Sequence, residues 1–266
     1  MASALPIAPP SLPLAGKVAL VSGGAGGIGE AICHALAREG ANVIVGYHRS
    51  AAAAEALAGA LVAADQADTA RTKHVALPAP VTNSQALHAL AREIDTRYGA
   101  LDIIVNCAGT TRFVPHADLD ALDDALIDTI FATNVRGPIA VTRAMLHLLK
   151  RRESALIVNV SSIAAVSAMG SNIAYCASKA ALDNLTKSLA RALAPSIRVL
   201  SVSPGLVDTE FVKKMDKHWR DEQAERTPLA RLTTPAEVAS AVVAAATHLT
   251  FSTGVVLSVD GGRQLA

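Results

Sequence analysis

Short β-branched runs alternate with longer alanine-rich segments from one end of this chain to the other, and the first run leads straight into a glycine-rich turn. That alternation restricts the fold more than any single residue does. The spacing predicts strands at 17–21, 42–45, 73–77, 101–107, 155–160, 197–203 and 255–259. It predicts helices at 28–39, 51–64, 84–98, 119–152 with a break near Gly137-Pro138, 171–194 and 235–249. Strands this apolar suit burial on both faces. Strict alternation then predicts an α/β fold, a doubly wound parallel sheet of about seven strands with helices on both faces, joined by right-handed crossovers. A length of 266 residues fits one such domain. Sheets of this kind bind ligands at the carboxyl ends of their strands, so residues just after strands carry the functional information.

After the first strand comes Ser22-Gly23-Gly24-Ala25-Gly26-Gly27-Ile28-Gly29, followed at once by a helical pattern. Glycine permits the tight turn, lets backbone approach a pyrophosphate and lets helix pack close to strand. The helix N-terminus then offers free N–H groups to phosphate. A glycine-rich turn with no ligand is the plainer alternative, but the strand–loop–helix context favours a Rossmann-type dinucleotide site. Several glycine spacings are satisfied at once, so the loop by itself does not choose among dinucleotide-binding families. The second strand ends in Gly46-Tyr47-His48-Arg49-Ser50, without a carboxylate. An acidic residue there suits the ribose of NAD, whereas Arg49 and the Ser50 hydroxyl suit the extra phosphate of NADP. NADP(H) is therefore favoured over NAD(H), against the simpler reading of Arg49 as a solvated helix start.

Tyr175-Cys-Ala-Ser-Lys179 places a phenol and an ammonium four residues apart in a helix-like run. The two side chains share one face, about 6 Å apart along the axis. A free phenol, titrating near pH 10 (about three units from neutrality), is a poor proton carrier, and a neighbouring cation stabilises its phenolate. Taken alone, the pair reads more simply as a packed tyrosine beside a solvated lysine.

Five separated motifs in order resemble the short-chain dehydrogenase/reductase family, in its short single-domain branch that includes 3-oxoacyl-ACP reductase-like members. Ser22 to Gly29 resembles the family's TGxxxGIG loop, with serine for threonine. Asn106-Cys-Ala-Gly109 resembles NNAG. Asn134, Ser162, Tyr175 and Lys179 fall in the order of the family's catalytic tetrad, with the usual serine–tyrosine separation, 175 − 162 = 13. Pro204-Gly205-Leu-Val-Asp-Thr209 resembles the PG loop, and Asp260-Gly261-Gly262 the C-terminal DGG. The resemblance implies an oxidoreductase moving a hydride between nicotinamide and a carbonyl or secondary alcohol. Tyr175 is then the general acid or base, and Lys179 tunes it and holds the nicotinamide ribose. Ser162 bonds the substrate oxygen, and Asn134 kinks its helix and helps hold a water chain to Lys179. The cofactor would be held by Ser22, Gly23, Gly26, Gly27, Ile28 and Gly29, by Tyr47, His48, Arg49 and Ser50, and by the Val81 backbone. Asn106, Ala108 and Gly109 would line its cleft together with Pro204 and Gly205, with Val207 and Thr209 at the carboxamide. Ser161 neighbours Ser162, but the spacing favours the latter.

Thr110, Met169, Asn172 and Phe211 are candidates for the substrate pocket, from their places after the NCAG strand, before Tyr175 and after the PG loop. The segment 208–232 is expected to be a substrate lid. Substrates that fit the resemblance are 3-oxoacyl thioesters or small ketones, with sugars, polyols or steroids, or a non-catalytic NADP-binding regulator, as alternatives. Two departures stand out. Pro80 occupies the place where many relatives carry an adenine-binding Asp, and Cys107 replaces the second Asn of NNAG, a change expected to affect local stability more than chemistry.

Lys and Arg total 24 against 23 for Asp and Glu, a formal charge of +1, so nothing in the charge pattern asks for nucleic acid. No apolar run approaches the roughly 20 residues of a membrane span. Cys33, Cys107 and Cys176 are odd in number and widely separated, without ligand spacing, so no metal is expected and a reducing, cytoplasmic setting fits. Residues 1–13 read as a flexible lead-in, and 14–266 as the catalytic domain. The resemblance further implies a homotetramer, since relatives pair through their fifth and sixth helices and C-terminal strands.

Overall fold

A computed structural model describes residues 12–61 and 74–265. Seven parallel strands form one sheet in the order β3-β2-β1-β4-β5-β6-β7. They are β1 (Val18–Ser22), β2 (Asn42–Tyr47), β3 (Val75–Pro78), β4 (Ile103–Asn106), β5 (Ala155–Val160), β6 (Ile197–Pro204) and β7 (Val256–Val259). The chain winds outward from β1 to β3, then returns to add β4 on the other side of β1. The switch point therefore opens a crevice above the carboxyl ends of β1 and β4.

Helices cover both faces, as the alternation requires. Against one face lie α1 (Gly27–Arg38), α2 (Ala51–Ala60) and α10 (Pro235–Thr247), sealing a core of Ile32, Leu36, Val43, Val158 and Val242. Against the other lie α3 (Ser84–Tyr98), α5 (Gly137–Leu149) and α7 (Ile173–Leu193), around Leu20, Ile94, Ile104, Met145 and Ile157. Each such side chain, fully buried, contributes about 1.5–3 kcal/mol. Local signals agree with this packing. In α3 the apolar residues Leu87, Leu90, Ala91 and Ile94 recur at helical period and are all buried. The Asn83 side chain accepts the Ala86 N–H at 3.0 Å to start that helix, and Gly99, at φ 73°, ends it in the left-handed region.

The expected helix at 119–152 differs from the structure. It begins only at α4 (Asp124–Phe131), capped by Asp123, and passes through a π-helical turn at Ala132–Arg136 before α5. The interruption thus lies before Gly137-Pro138, with Pro138 in the first turn of α5. A four-residue helix, α6 (Ala164–Ser167), follows β5, and the segment after β6 forms α8 (Glu210–Lys213) and α9 (Lys217–Glu225). Most of the expected lead-in at 1–13, residues 62–64 of the second helix and residue 73 of the third strand lie outside the described residues. Leu14 is buried and donates its N–H to Glu39 O at 2.8 Å, docking the start of the domain on the end of α1. No described helix is long and apolar enough to cross a membrane.

Candidate active site

The glycine loop and the loop after β4 are interlocked by one hydroxyl. Ser22 Oγ, buried at the end of β1, donates to Val105 O (3.4 Å) and accepts from the amides of Cys107 (3.2 Å) and Ala108 (3.3 Å). Two glycines are required sterically. A Cβ on Gly23, at φ 68°, would lie 2.9 Å from Ala108 Cα, and one on Gly29 only 2.2 Å from Gly23 O. Helix α1 therefore starts closer to the loop than any side chain permits. Gly26 caps it without a side chain, so the amides of Gly27, Ile28 and Gly29 are not claimed by a capping group. A Cβ on Gly27 would stand 3.3 Å from Thr209 Cγ2, so the loop after β6 reaches the glycine loop. This cradle fits a dinucleotide pyrophosphate.

At the end of β2, Tyr47 is half-buried while His48, Arg49 and Ser50 are exposed. Ser50 precedes α2 without a side-chain capping bond, and Arg49 has no ion pair among the described residues. Past β3, the Ala79 N–H donates to Tyr47 O at 2.6 Å, Pro80 supplies no polar group, and Val81 is buried against Gly137.

The π-helical turn positions Asn134. Its side-chain oxygen accepts the Thr110 N–H at 2.8 Å, and its amide donates to Thr110 O at 3.0 Å and to Ser178 Oγ at 3.1 Å. Ser178 in turn donates to Tyr175 O at 2.7 Å. Lys179, only 6% exposed, donates from Nζ to Val160 O at 2.8 Å and stands 5.7 Å from the centre of the Tyr175 ring. A Cβ on Gly109 would be 3.5 Å from Asn134 Oδ1 and 3.9 Å from Lys179 Nζ, so these groups converge. The two adjacent serines part company after β5. Ser162, half-buried, accepts the Ala164 N–H at 3.2 Å, whereas Ser161 is buried and donates to Lys179 O at 3.5 Å.

Beyond β6, Pro204 is buried and its carbonyl accepts the Ile163 N–H, while Gly205 donates to Val259 O. Val207 bridges Thr233, and Thr209 caps α8. Arg220 of α9 pairs with Asp208 at 3.1 Å, tying that helix to the loop. Met169 and Phe211 are 57% and 70% exposed, and Phe113 and Val166 add further exposed apolar surface.

Two expected positions have other jobs. Asn172, expected in the substrate pocket, is 1% exposed. Its oxygen caps α7 by accepting the Tyr175 N–H at 2.7 Å, and its amide donates to Thr111 Oγ1 and Arg112 O. Asn106, expected along the cofactor cleft, is buried and donates across the sheet to Asn159 Oδ1 at 2.8 Å. That bond ties β4 to β5, so the neighbouring Cys107 is not needed for it. Burial pushes the Cys107 thiol up to about 11, keeping it protonated and unreactive at neutral pH. The roles of Ser178 and the Arg220–Asp208 pair escaped the sequence pattern, because spacing along one helix does not report the partner on another element. Among the described residues no cluster of His, Cys, Asp or Glu could hold a metal.

A seven-stranded parallel sheet with a glycine loop at its switch point and a tyrosine–lysine helix beside it defines a nucleotide-dependent oxidoreductase architecture. The chain belongs to the short chain dehydrogenase family, whose profile matches residues 17–220. It is 37% identical over 254 residues to the protein named ketoacyl reductase 2 of the granaticin polyketide synthase of Streptomyces violaceoruber, covering 93% of this chain and 96% of that one. Among solved structures it resembles a gluconate 5-dehydrogenase from Burkholderia cenocepacia in complex with NADP and tartrate. There the TM-score is 0.85 at 28% identity, over 96% of this chain and 98% of the other. It also resembles a 3-ketoacyl-(acyl-carrier-protein) reductase from Brucella melitensis complexed with NADH, at TM-score 0.82 and 31% identity, over 94% and 98% of the two chains. The protein is thus a short-chain dehydrogenase/reductase enzyme.

Proposed function

We propose that this enzyme is an NADP(H)-dependent carbonyl reductase or alcohol dehydrogenase in which Tyr175 is the general acid or base. The observation that carries this reading is the convergence of Gly109, Asn134, Tyr175 and Lys179 above the carboxyl ends of β4 and β5. A nicotinamide in the cleft supplies or accepts the hydride. Residues of the glycine loop would hold its pyrophosphate, and Arg49 with Ser50 would take the 2′-phosphate, an assignment supported by a guanidinium without an ion pair among the described residues and by the absence of a carboxylate at the end of β2. Tyr175 gives its proton to the carbonyl oxygen in reduction and removes it from the alcohol in oxidation. The Lys179 ammonium, held by Val160 O and 5.7 Å from the centre of the Tyr175 ring, stabilises the phenolate. Ser162 orients the substrate oxygen, and Asn134 holds the Thr110 backbone in place beside Lys179.

A 3-oxoacyl thioester or small ketone is the favoured substrate class, supported by the ketoacyl reductase relatives and by exposed apolar side chains at Phe113, Val166, Met169 and Phe211. The likeness to a gluconate 5-dehydrogenase favours a sugar or polyol as the second reading. Residues 208–232, with α8 and α9 anchored through Asp208 and Arg220, act as the lid that excludes water. A cytoplasmic setting is supported by the three free cysteines, and a homotetramer by the family resemblance. The central test is Tyr175→Phe, assayed with NADPH and a panel of ketones and 3-oxoacyl thioesters. It should bind cofactor within about twofold of the parent yet lose on the order of 10³-fold in turnover; unchanged turnover overturns the reading.

A further inference from the structure

Two asparagine side chains on different elements tie the peptide groups of Tyr175 to one stretch of backbone after β4. Asn134 holds Thr110 through both its N–H and its carbonyl and donates to Ser178, which donates to Tyr175 O. Asn172 does the reciprocal job from the start of α7. Its Oδ1 accepts the Tyr175 N–H at 2.7 Å, and its amide donates to Arg112 O at 2.7 Å and to Thr111 Oγ1 at 3.2 Å. The orientation of that amide is forced. A backbone N–H only donates and a backbone carbonyl only accepts, so the oxygen faces the helix and the nitrogen faces residues 111–112. With both N–H groups engaged and the residue 1% exposed, Asn172 has no donor left for a substrate.

A helix cap requires none of the bonds to residues 111–112. At the start of α7 it needs only an oxygen, which serine or aspartate supplies as well. Other bonds join the same two segments beside the amide. Val114 N–H donates to Ser171 O at 2.8 Å, the hydroxyls of Thr111 and Ser171 are hydrogen-bonded, and His116 Nε2 lies 3.2 Å from Gly170 O. The turn held in this way rests on Tyr175 itself. A Cβ on Gly170 would come 3.1 Å from Tyr175 Cδ1 and 2.9 Å from Cys176 Sγ. The tyrosine is thus fixed at its amide by Asn172 and flanked at its ring by Gly170. Lys179, one helical turn further on, is anchored elsewhere, by Val160 O of β5.

We propose that Asn172 is a positioning residue for the general acid, its amide joining the start of α7 to residues 111–112 so that the Tyr175 hydroxyl meets the substrate oxygen at bonding distance. The inference rests on the proposed role of Tyr175. Proton transfer requires the donor within about 3 Å of its acceptor, and a misplacement of about 1 Å costs on the order of a hundredfold in rate. Because β5 holds the Lys179 ammonium, loosening the turn at 170–172 shifts the phenol and leaves the ammonium and the cofactor cleft in place. The effect therefore falls on the chemical step and not on NADPH binding.

Asn172→Ser separates a cap from a link, since a serine hydroxyl still accepts the Tyr175 N–H but replaces the amide that reaches Thr111 and Arg112. The measurements are kcat and KM for ketone reduction with NADPH, taken well below the thermal midpoint, together with NADPH affinity and the midpoint itself. The expected result is a kcat lower by on the order of tenfold or more, KM and NADPH affinity within about twofold of the parent, and a lower midpoint because two bonds are lost. A parent-like kcat overturns the proposal however far the midpoint falls, because a residue that only stabilises the fold moves the midpoint alone. A change in kcat/KM carried entirely by KM or by NADPH affinity overturns it as well. Should Asn172→Ser fail to fold, Asn172→Asp is read the same way, its carboxylate capping the helix with no N–H to give; a parent-like kcat there again overturns it. Tyr175→Phe separates the two readings. Full turnover in that variant removes the hydride-transfer assignment, whereas loss of turnover there with a parent-like kcat in Asn172→Ser removes the Asn172 role alone.

Discussion

Arg49 is the residue on which the choice of cofactor turns. It stands exposed at the end of β2 without an ion pair among the described residues, next to Ser50, whose side chain makes no capping bond. A guanidinium in that position costs nothing to redirect toward a phosphate. NADPH should bind at least tenfold more tightly than NADH, and Arg49→Ala should remove most of that preference, on the order of 1.4 kcal/mol or more. Fluorescence titration with both cofactors checks it, and equal affinities in the parent enzyme refute it. At this scale the tyrosine–lysine spacing and the glycine loop were legible from residue types and intervals. Asn172 and Asn106 were not, because an amide serves as readily for capping or strand tying as for binding, and only its neighbours decide which.

Helices were legible where capping and periodicity agree, and α10 is an example. Thr234 and Glu237 form a capping box, and Arg231 pairs with the Glu237 carboxylate. The Arg231 guanidinium and the Thr234 N–H hold that carboxyl down from 4.5 to about 2. A depressed carboxylate stabilises the fold above its unfolded value and loses that contribution as pH falls toward the folded one. Glu237→Gln should therefore be less stable than the parent at pH about 6, with the difference fading between pH about 4.5 and about 2; urea unfolding at several pH values measures it. The interruption between α4 and α5, expected near Gly137-Pro138, lies in the turn just before it, for an opposite reason. Gly137-Pro138 is the strongest local breaker, but the Gly137 N–H bonds Ala132 O to close a π-helical turn, and the Asn134 side chain grips Thr110 on another loop. A long-range contact, not a local preference, sets that geometry.

Across the whole molecule, the core encloses two cysteine thiols in their neutral forms. Burial raises the thiols of both Cys33 and Cys107, the latter from 9.0 to about 11. A raised thiol stabilises the native state below its unfolded value, and that contribution is lost as pH climbs toward the folded one. The urea midpoint should consequently fall as pH rises beyond about 9, and should fall less in a Cys33→Ala, Cys107→Ala double variant; parallel pH profiles for the two proteins would refute the assignment. The parallel sheet and its helices were readable in the chain because β-branched and alanine-rich segments carry different periods, and right-handed crossovers leave few ways to connect them. Strand order and the crevice at the β1–β4 switch exist only once the strands are in register. By itself, then, the sequence determined the fold class, the nucleotide cradle and the tyrosine–lysine helix, all of which depend on local spacing. Tertiary structure alone decided which buried polar groups face one another, bringing Asn106 to Asn159 and Asn134 to Thr110, because those contacts join residues far apart in the chain.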